Sequence, residues 1–181
     1  QPFLTENWSK IQKNLKEILK SKKKVSRIEA YDVSNIQGKE ATGAMATFIN
    51  GQPEKNFYRR FKIKIAKKPN DILMIKEVLS RRFKHSEWGW PDLILIDGGV
   101  AQLNATLKVK SKKLKVKTIK IVALAKKKNE LYIESQKKPV LLKNLSREIF
   151  NLILQLRDEA HRFARKYHLK LREKMLISPK G

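Results

Sequence analysis

The chain has 181 residues, 41% of them hydrophobic, which sets one domain with a real core as the expectation, with at most a small appendage. Its 42 Lys and Arg against 17 Asp and Glu give a formal charge of +25 and a pI near 10.3, the footprint of a partner carrying many phosphates, although a lysine-rich genome decorating every solvated face accounts for part of it. The lack of cysteine excludes disulfides and cysteine-ligated zinc, no apolar run approaches the ~20 residues of a membrane span, and no signal peptide is seen, so a cytoplasmic protein with no membrane partner is expected.

Residues 1–24 read as a lead-in helix and basic linker. Trp8, Ile11, Leu15, Ile18 and Leu19 fall at helical spacing, with Thr5 or Asn7 as the cap and 21–24 as the linker. The first residue is Gln1, not Met, so the chain is expected to be a fragment of its gene product. The main domain is expected over 25–178. Residues 25–35 form a strand with Ile28, Ala30 and Asp32 on one face and Glu29, Tyr31 and Val33 on the other. A small apolar strand over 41–50 ends on the hairpin signal Asn50-Gly51. A third strand over 55–65 puts Phe57, Arg59, Phe61, Ile63 and Ile65 on one face. The three in series read as an antiparallel meander.

The period then becomes helical over 70–84, where Ile72, Ile75, Leu79 and Phe83 share a side, widened by Leu73 and Met74, and Asn70 or Asp71 is the cap. Pro91 opens an unbroken apolar run, Leu93 to Ile96, that ends on Asp97-Gly98-Gly99. Such a run reads as a strand buried on both faces, and it delivers a carboxylate to the strand's C-terminal edge, where open α/β sheets place their ligands. An acid there is costly to bury unless a cation or a set of donors meets it. A helix over 100–108, a strand over 115–126 and a small hairpin, 131–134 with 140–143, follow. The long helix over 146–176 carries the stripe Ile149, Ile153, Leu156, Ala160 and Phe163. This order predicts an α/β, ribonuclease-H-like fold: a mixed five-stranded sheet flanked by helices, with a small extra hairpin. In it the first and fourth strands lie side by side, which brings Asp32 next to Asp97.

Asp32, Asp97 and His161 then make a candidate site. Paired carboxylates repel and need a cation, which a hard divalent ion supplies. Such an ion promotes in-line displacement at phosphorus, and an imidazole beside it ligates the metal or moves a proton. Each residue alone has a plainer reading: a strand-end polar group, a helix-surface histidine, a common glycine turn. Asp71 is a fourth acid, or simply a helix cap. Arg157, His161 and Arg165 follow at i, i+4 steps on the last helix, where Asp158 and His168 share the histidine's face. With Arg162 they form either a phosphate-meeting or a merely solvated face. Arg59, Arg60, Arg81 and Arg82 offer guanidinium groups to a nucleic-acid backbone, and seven lysines between Lys108 and Lys120 form a basic rim.

At these residues the chain resembles the C-terminal endonuclease domain of the UvrC family, the incising component of the ABC excinuclease in nucleotide excision repair. The strings are RIEAYDVSNIQG, YRRFKIK, the PND before a helix, EVLSRRF, PDLILIDGGVAQLN, ALAKK and RDEAHRFARKYH, over most of 25–170. The resemblance implies a ribonuclease-H-like fold and metal-dependent incision of lesion-bearing double-stranded DNA on the 5′ side of the damage. It implies an Asp-Asp-His triad at Asp32, Asp97 and His161 that binds Mg2+ or Mn2+, a further acid at Asp71, and loading by excinuclease subunits A and B; the chain itself is expected to be a monomer. Two places depart from the family. Asn35 and Ile36 stand where it has His-Thr, and Val100 and Ala101 where it has Lys-Gly. These departures keep open a catalytically weakened DNA-binding module of the same fold. A basic RNA-binding protein ranks below both.

Overall fold

The computed structural model describes residues 2–36, 40–64 and 70–177. Helix α1 (Pro2–Ile18) precedes strands β1 (Arg27–Ile36), β2 (Glu40–Ile49), β3 (Gln52–Pro53) and β4 (Arg59–Ile63). Then come α2 (Asp71–Arg82), β5 (Leu93–Asp97), α3 (Val100–Ser111), β6 (Lys120–Ala125), β7 (Glu130–Ile133), β8 (Val140–Leu141) and α4 (Arg147–Ile177). The strands make one sheet in the order β3-β2-β1-β5-β6-β7-β8, with β4 also paired to β2. β1, β5 and β6 run parallel and the other pairings are antiparallel. The expected five strands are β1, β2, β4, β5 and β6. The expected extra hairpin is β7–β8, and it extends the same sheet through β6.

Alternation along the buried strands explains the layers. Leu93 and Leu95 face one side, with Ile28, Ala30, Val122 and Leu124, and α1 and α4 cover them. Ile94 and Ile96 face the other, with Tyr31, Met45, Ile121 and Ala123, under α2 and α3. Burying one such aliphatic side chain stabilises the fold by about 1.5–3 kcal/mol, which is why no polar residue interrupts Leu93–Ile96. Residues 1–24 do not stand apart from 25–178, since Trp8, Leu15 and Leu19 are buried in the first of these clusters. Thr5 and Asn7 lie inside α1, which begins at Pro2.

The other boundaries shift for local reasons. The third strand begins only at Arg59, because Lys55–Phe57 takes a 3-10 turn, and Ile65 lies outside the described residues. The strand expected from 115 begins at Lys120, after a 3-10 turn over Leu114–Val116. Asn50 and Gly51 make the β2–β3 turn with φ of 49° and 80°, as their sequence requires. Asn70 caps α2 by accepting from the Ile72 and Leu73 N–H groups, at 3.0 and 3.1 Å. Ile72 and Leu73 point outward, and the inner stripe of α2 is Met74, Ile75, Val78, Leu79 and Arg82.

Candidate active site

Parallel pairing of β1 with β5 runs from Ile28–Leu93 to Tyr31–Ile96, and Asp32 and Asp97 are each the next residue. Both ends of this pairing are held. At its start Asp92 Oδ2 accepts from the Ser26 and Arg27 N–H groups at 2.8 and 2.9 Å. At its end the chain turns away at Gly98. Its φ is 142°, and a Cβ added there would lie 2.7 Å from the Gln102 side chain, so only glycine fits. The Gly98 N–H donates to Leu124 O at 2.9 Å, and Gln102 Oε1 accepts from the Gly99 N–H at 3.0 Å, which opens α3. The turn therefore leaves the Asp97 carboxylate at the sheet edge.

The 31-residue α4 supplies the third group. Its buried stripe, Ile149 to Ala160, packs on the sheet, and His161 follows at the rim with Nδ1 3.2 Å from Asp32 Oδ2. Asp32 is 8% exposed. Burial, and then the facing Asp97 carboxylate, push its carboxyl above the ordinary carboxylate range, while Lys126 and His161 pull the other way. Asp97 meets a cation of its own: Lys126 Nζ lies 2.6 Å from its Oδ2. Arg157 lines the same recess over a floor that includes Leu95 and Leu124. Two turns beyond His161, His168 Nε2 sits 2.9 Å from Ser34 Oγ and 2.8 Å from Thr42 Oγ1, tying α4 to β1 and β2 just past Asp32.

A family model described as the UvrC RNase H endonuclease domain matches residues 16–164. The chain belongs to this family. UvrABC system protein C of Dictyoglomus thermophilum is 49% identical over 152 residues, 83% of this chain and 25% of that protein. The same-named protein of Fusobacterium nucleatum is 38% identical over 167 residues, 92% of this chain and 28% of that one. The chain thus spans about a quarter of the length of the curated relatives it matches. Among solved structures, Ciona intestinalis Endonuclease V in complex with a 24mer DNA containing an inosine is a looser likeness, with a TM-score of 0.43, 15% identity and coverage of 70% of this chain and 59% of that one.

Asp32, Asp97 and His161 therefore meet at one recess, as the strand order implied. Asp71 does not line it: Asp71 is exposed in the first turn of α2, and the cap is Asn70. Among the described residues no three His, Asp or Glu side chains stand converged as a metal cluster; Asp97 Oδ2 is engaged by Lys126 and His161 Nδ1 by Asp32. The donor set, two carboxylates and an imidazole, still suits a hard divalent ion, and a partly buried carboxylate pair calls for positive charge.

The arginines divide. Arg82 is no surface contact: it is 0% exposed, because it lies on the inner stripe of α2 and pairs with Glu29 of β1. Arg60 lies over the Phe163 and Tyr167 rings, at 4.8 and 5.0 Å, with Arg162 nearby. Arg59 covers Trp88, and Arg81 donates to Lys62 O at 2.6 Å. Arg157 pairs with Asp158 and Arg162 with Glu159, while Arg165 shares a surface groove with His161 and Lys166. The lysine rim begins at the far end of α3 and ends at Lys120, which pairs with Leu93, whereas Asp97 pairs with Leu124 at the opposite end. Lys110 in it bonds Glu134 at 2.6 Å. Of the departures, Val100 is half-exposed in the first turn of α3, and Asn35 Oδ1 is buried with no partner among the described residues.

Lys126 and His168 are site neighbours to which the sequence assigned no role. The signal for His168 was its seven-residue spacing from His161. Lys126 had its place at the end of a strand and within the ALAKK string.

Proposed function

We propose that this domain is a divalent-metal-dependent DNA endonuclease that makes the 5′ incision beside a lesion in nucleotide excision repair. The observation that carries the reading is the meeting of Asp32 and Asp97 at one sheet edge with His161 on Asp32. Asp32 and Asp97 hold Mg2+ or Mn2+, and His161 completes the site as a further ligand or as the proton carrier. A bound ion supplies a Lewis acid for in-line displacement at a phosphodiester. With its Nδ1 held by Asp32, His161 keeps Nε2 for moving a proton. Arg162 and Arg165, which share a surface groove with His161, and Arg60 of β4, which lies over the Phe163 and Tyr167 rings of α4, meet the DNA backbone. The relatives' printed name supports loading by the A and B subunits of the same system. A cytoplasmic setting and a monomeric domain belong to the same reading, and among the described residues no helix is long and apolar enough to cross a membrane.

The test is incision of a lesion-bearing duplex in the full-length protein, with subunits A and B, in manganese and in chelator. Asp97→Asn is expected to lose about a thousandfold in 5′ incision, since removing several kcal/mol of charge stabilisation corresponds to that factor. Duplex binding is expected to survive. Wild type that binds the duplex but never cuts in metal would overturn the reading and leave a DNA-binding module.

A further inference from the structure

Lys126 owes its place to the end of β6. Leu124 pairs with Asp97, and the chain then enters a 3-10 turn over Lys126–Lys128 that Asn129 closes in the left-handed region, φ 48° and ψ 44°. Glu130 pairs back on Ala125, so the turn is pinned on both sides. The Lys126 side chain is not pinned. It is 45% exposed and reaches Asp97 Oδ2 at 2.6 Å on a flexible four-carbon stem. Among the described residues no other cation is paired with that oxygen. Val100, after the glycine turn, is apolar, and the Arg157 guanidinium is committed to Asp158 at 2.9 and 3.1 Å. A divalent ion entering between Asp32 and Asp97 would approach the oxygen that the ammonium occupies. Two like charges at one carboxylate in a partly buried recess repel.

We propose that Lys126 is a positioning residue that acts through Asp97, holding its carboxylate at the sheet edge until a divalent ion displaces the ammonium, which then meets a DNA phosphate. This rests on the metal reading above. The lysine is thus a built-in competitor for the ion, and it keeps the two acids from standing unneutralised in its absence.

The experiment is calorimetric titration of Mn2+ into the protein without DNA, for wild type, Lys126→Met, Lys126→Arg and Asp97→Asn, with thermal unfolding in chelator as the folding control. Lys126→Met is expected to bind Mn2+ about twofold to fivefold tighter, the size of one partly exposed ion pair, and Lys126→Arg to stay near wild type. Unchanged or weaker Mn2+ binding by a folded Lys126→Met, with binding lost in Asp97→Asn, overturns the role of Lys126 and leaves the metal reading standing. Mn2+ binding that Asp97→Asn does not disturb overturns both.

Discussion

Two acids three residues apart on β1 have opposite fates. Glu29 is 0% exposed and closed on every side. Arg82 binds it through Nε and Nη2, at 2.7 to 3.2 Å, and the Tyr31 hydroxyl donates to it at 2.6 Å. Arg82 donates further to His85 O and Gly89 O, over Trp88 and Trp90. Burial, and then Glu29, hold the Tyr31 phenol well above its ordinary range, so it remains a donor. Asp32 is nearly as buried, but it faces another carboxylate, and the groups that meet the pair, His161 and Lys126, are 51% and 45% exposed. An acid whose partners are complete and locked inside is part of the framework. An acid pair whose partners can swing away is open to exchange with a ligand.

That contrast breaks most easily at Arg82. Arg82→Met leaves the buried Glu29 with only the longer Arg27 pair, at 3.4 Å, and the Tyr31 hydroxyl, and is expected to cost about 3 kcal/mol in denaturant unfolding. Asp97→Asn, on the open pair, is expected to unfold close to wild type. Equal losses in the two variants would erase the distinction. A smaller effect tests the anchor of α4 beside the open pair. Burial, helped by Arg172 and His161 and opposed by Asp32, holds His168 below the ordinary 6.5. Its neutral form is thus the one the fold favours, and its contribution is present above pH 6.5 and lost as pH falls through the depressed value. Wild type should lose more thermal stability between pH 7 and pH 5 than His168→Gln does. An identical slope would show that the histidine is not coupled to folding. Smallest of all, Arg60→Ala should lower the melting temperature only slightly, by the loss of its contacts with Phe163 and Tyr167, and lower the salt dependence of duplex binding by about one counterion. With Arg82→Met this separates an arginine that meets phosphate from one that meets Glu29. A salt slope unchanged by Arg60→Ala would take that residue out of the interface.

Much of the site was legible because its signals are local. The apolar run Leu93–Ile96, the acid behind it and the glycine turn all lie within seven residues, and a strand buried on both faces can be read from composition alone. The alternation of Ile28, Ala30 and Asp32 against Glu29, Tyr31 and Val33 placed the second acid on the correct face. Arg82 was misjudged because arginine is usually outside, although its position follows Ile75, Val78 and Leu79 at i+7, i+4 and i+3 spacing on the buried stripe.

The chain by itself therefore determined the strands, the order in which they alternate with helices, and the delivery of Asp97 to a strand end, because period and turn chemistry act over a few residues. Only the tertiary structure decided which charges meet. Arg82 finds Glu29 across 53 residues, His168 finds Ser34 across 134, and Lys126 turns to Asp97 because β5 and β6 lie side by side. Such pairings depend on how layers stack and which oxygen lies within reach, and no local pattern in the chain carries that information.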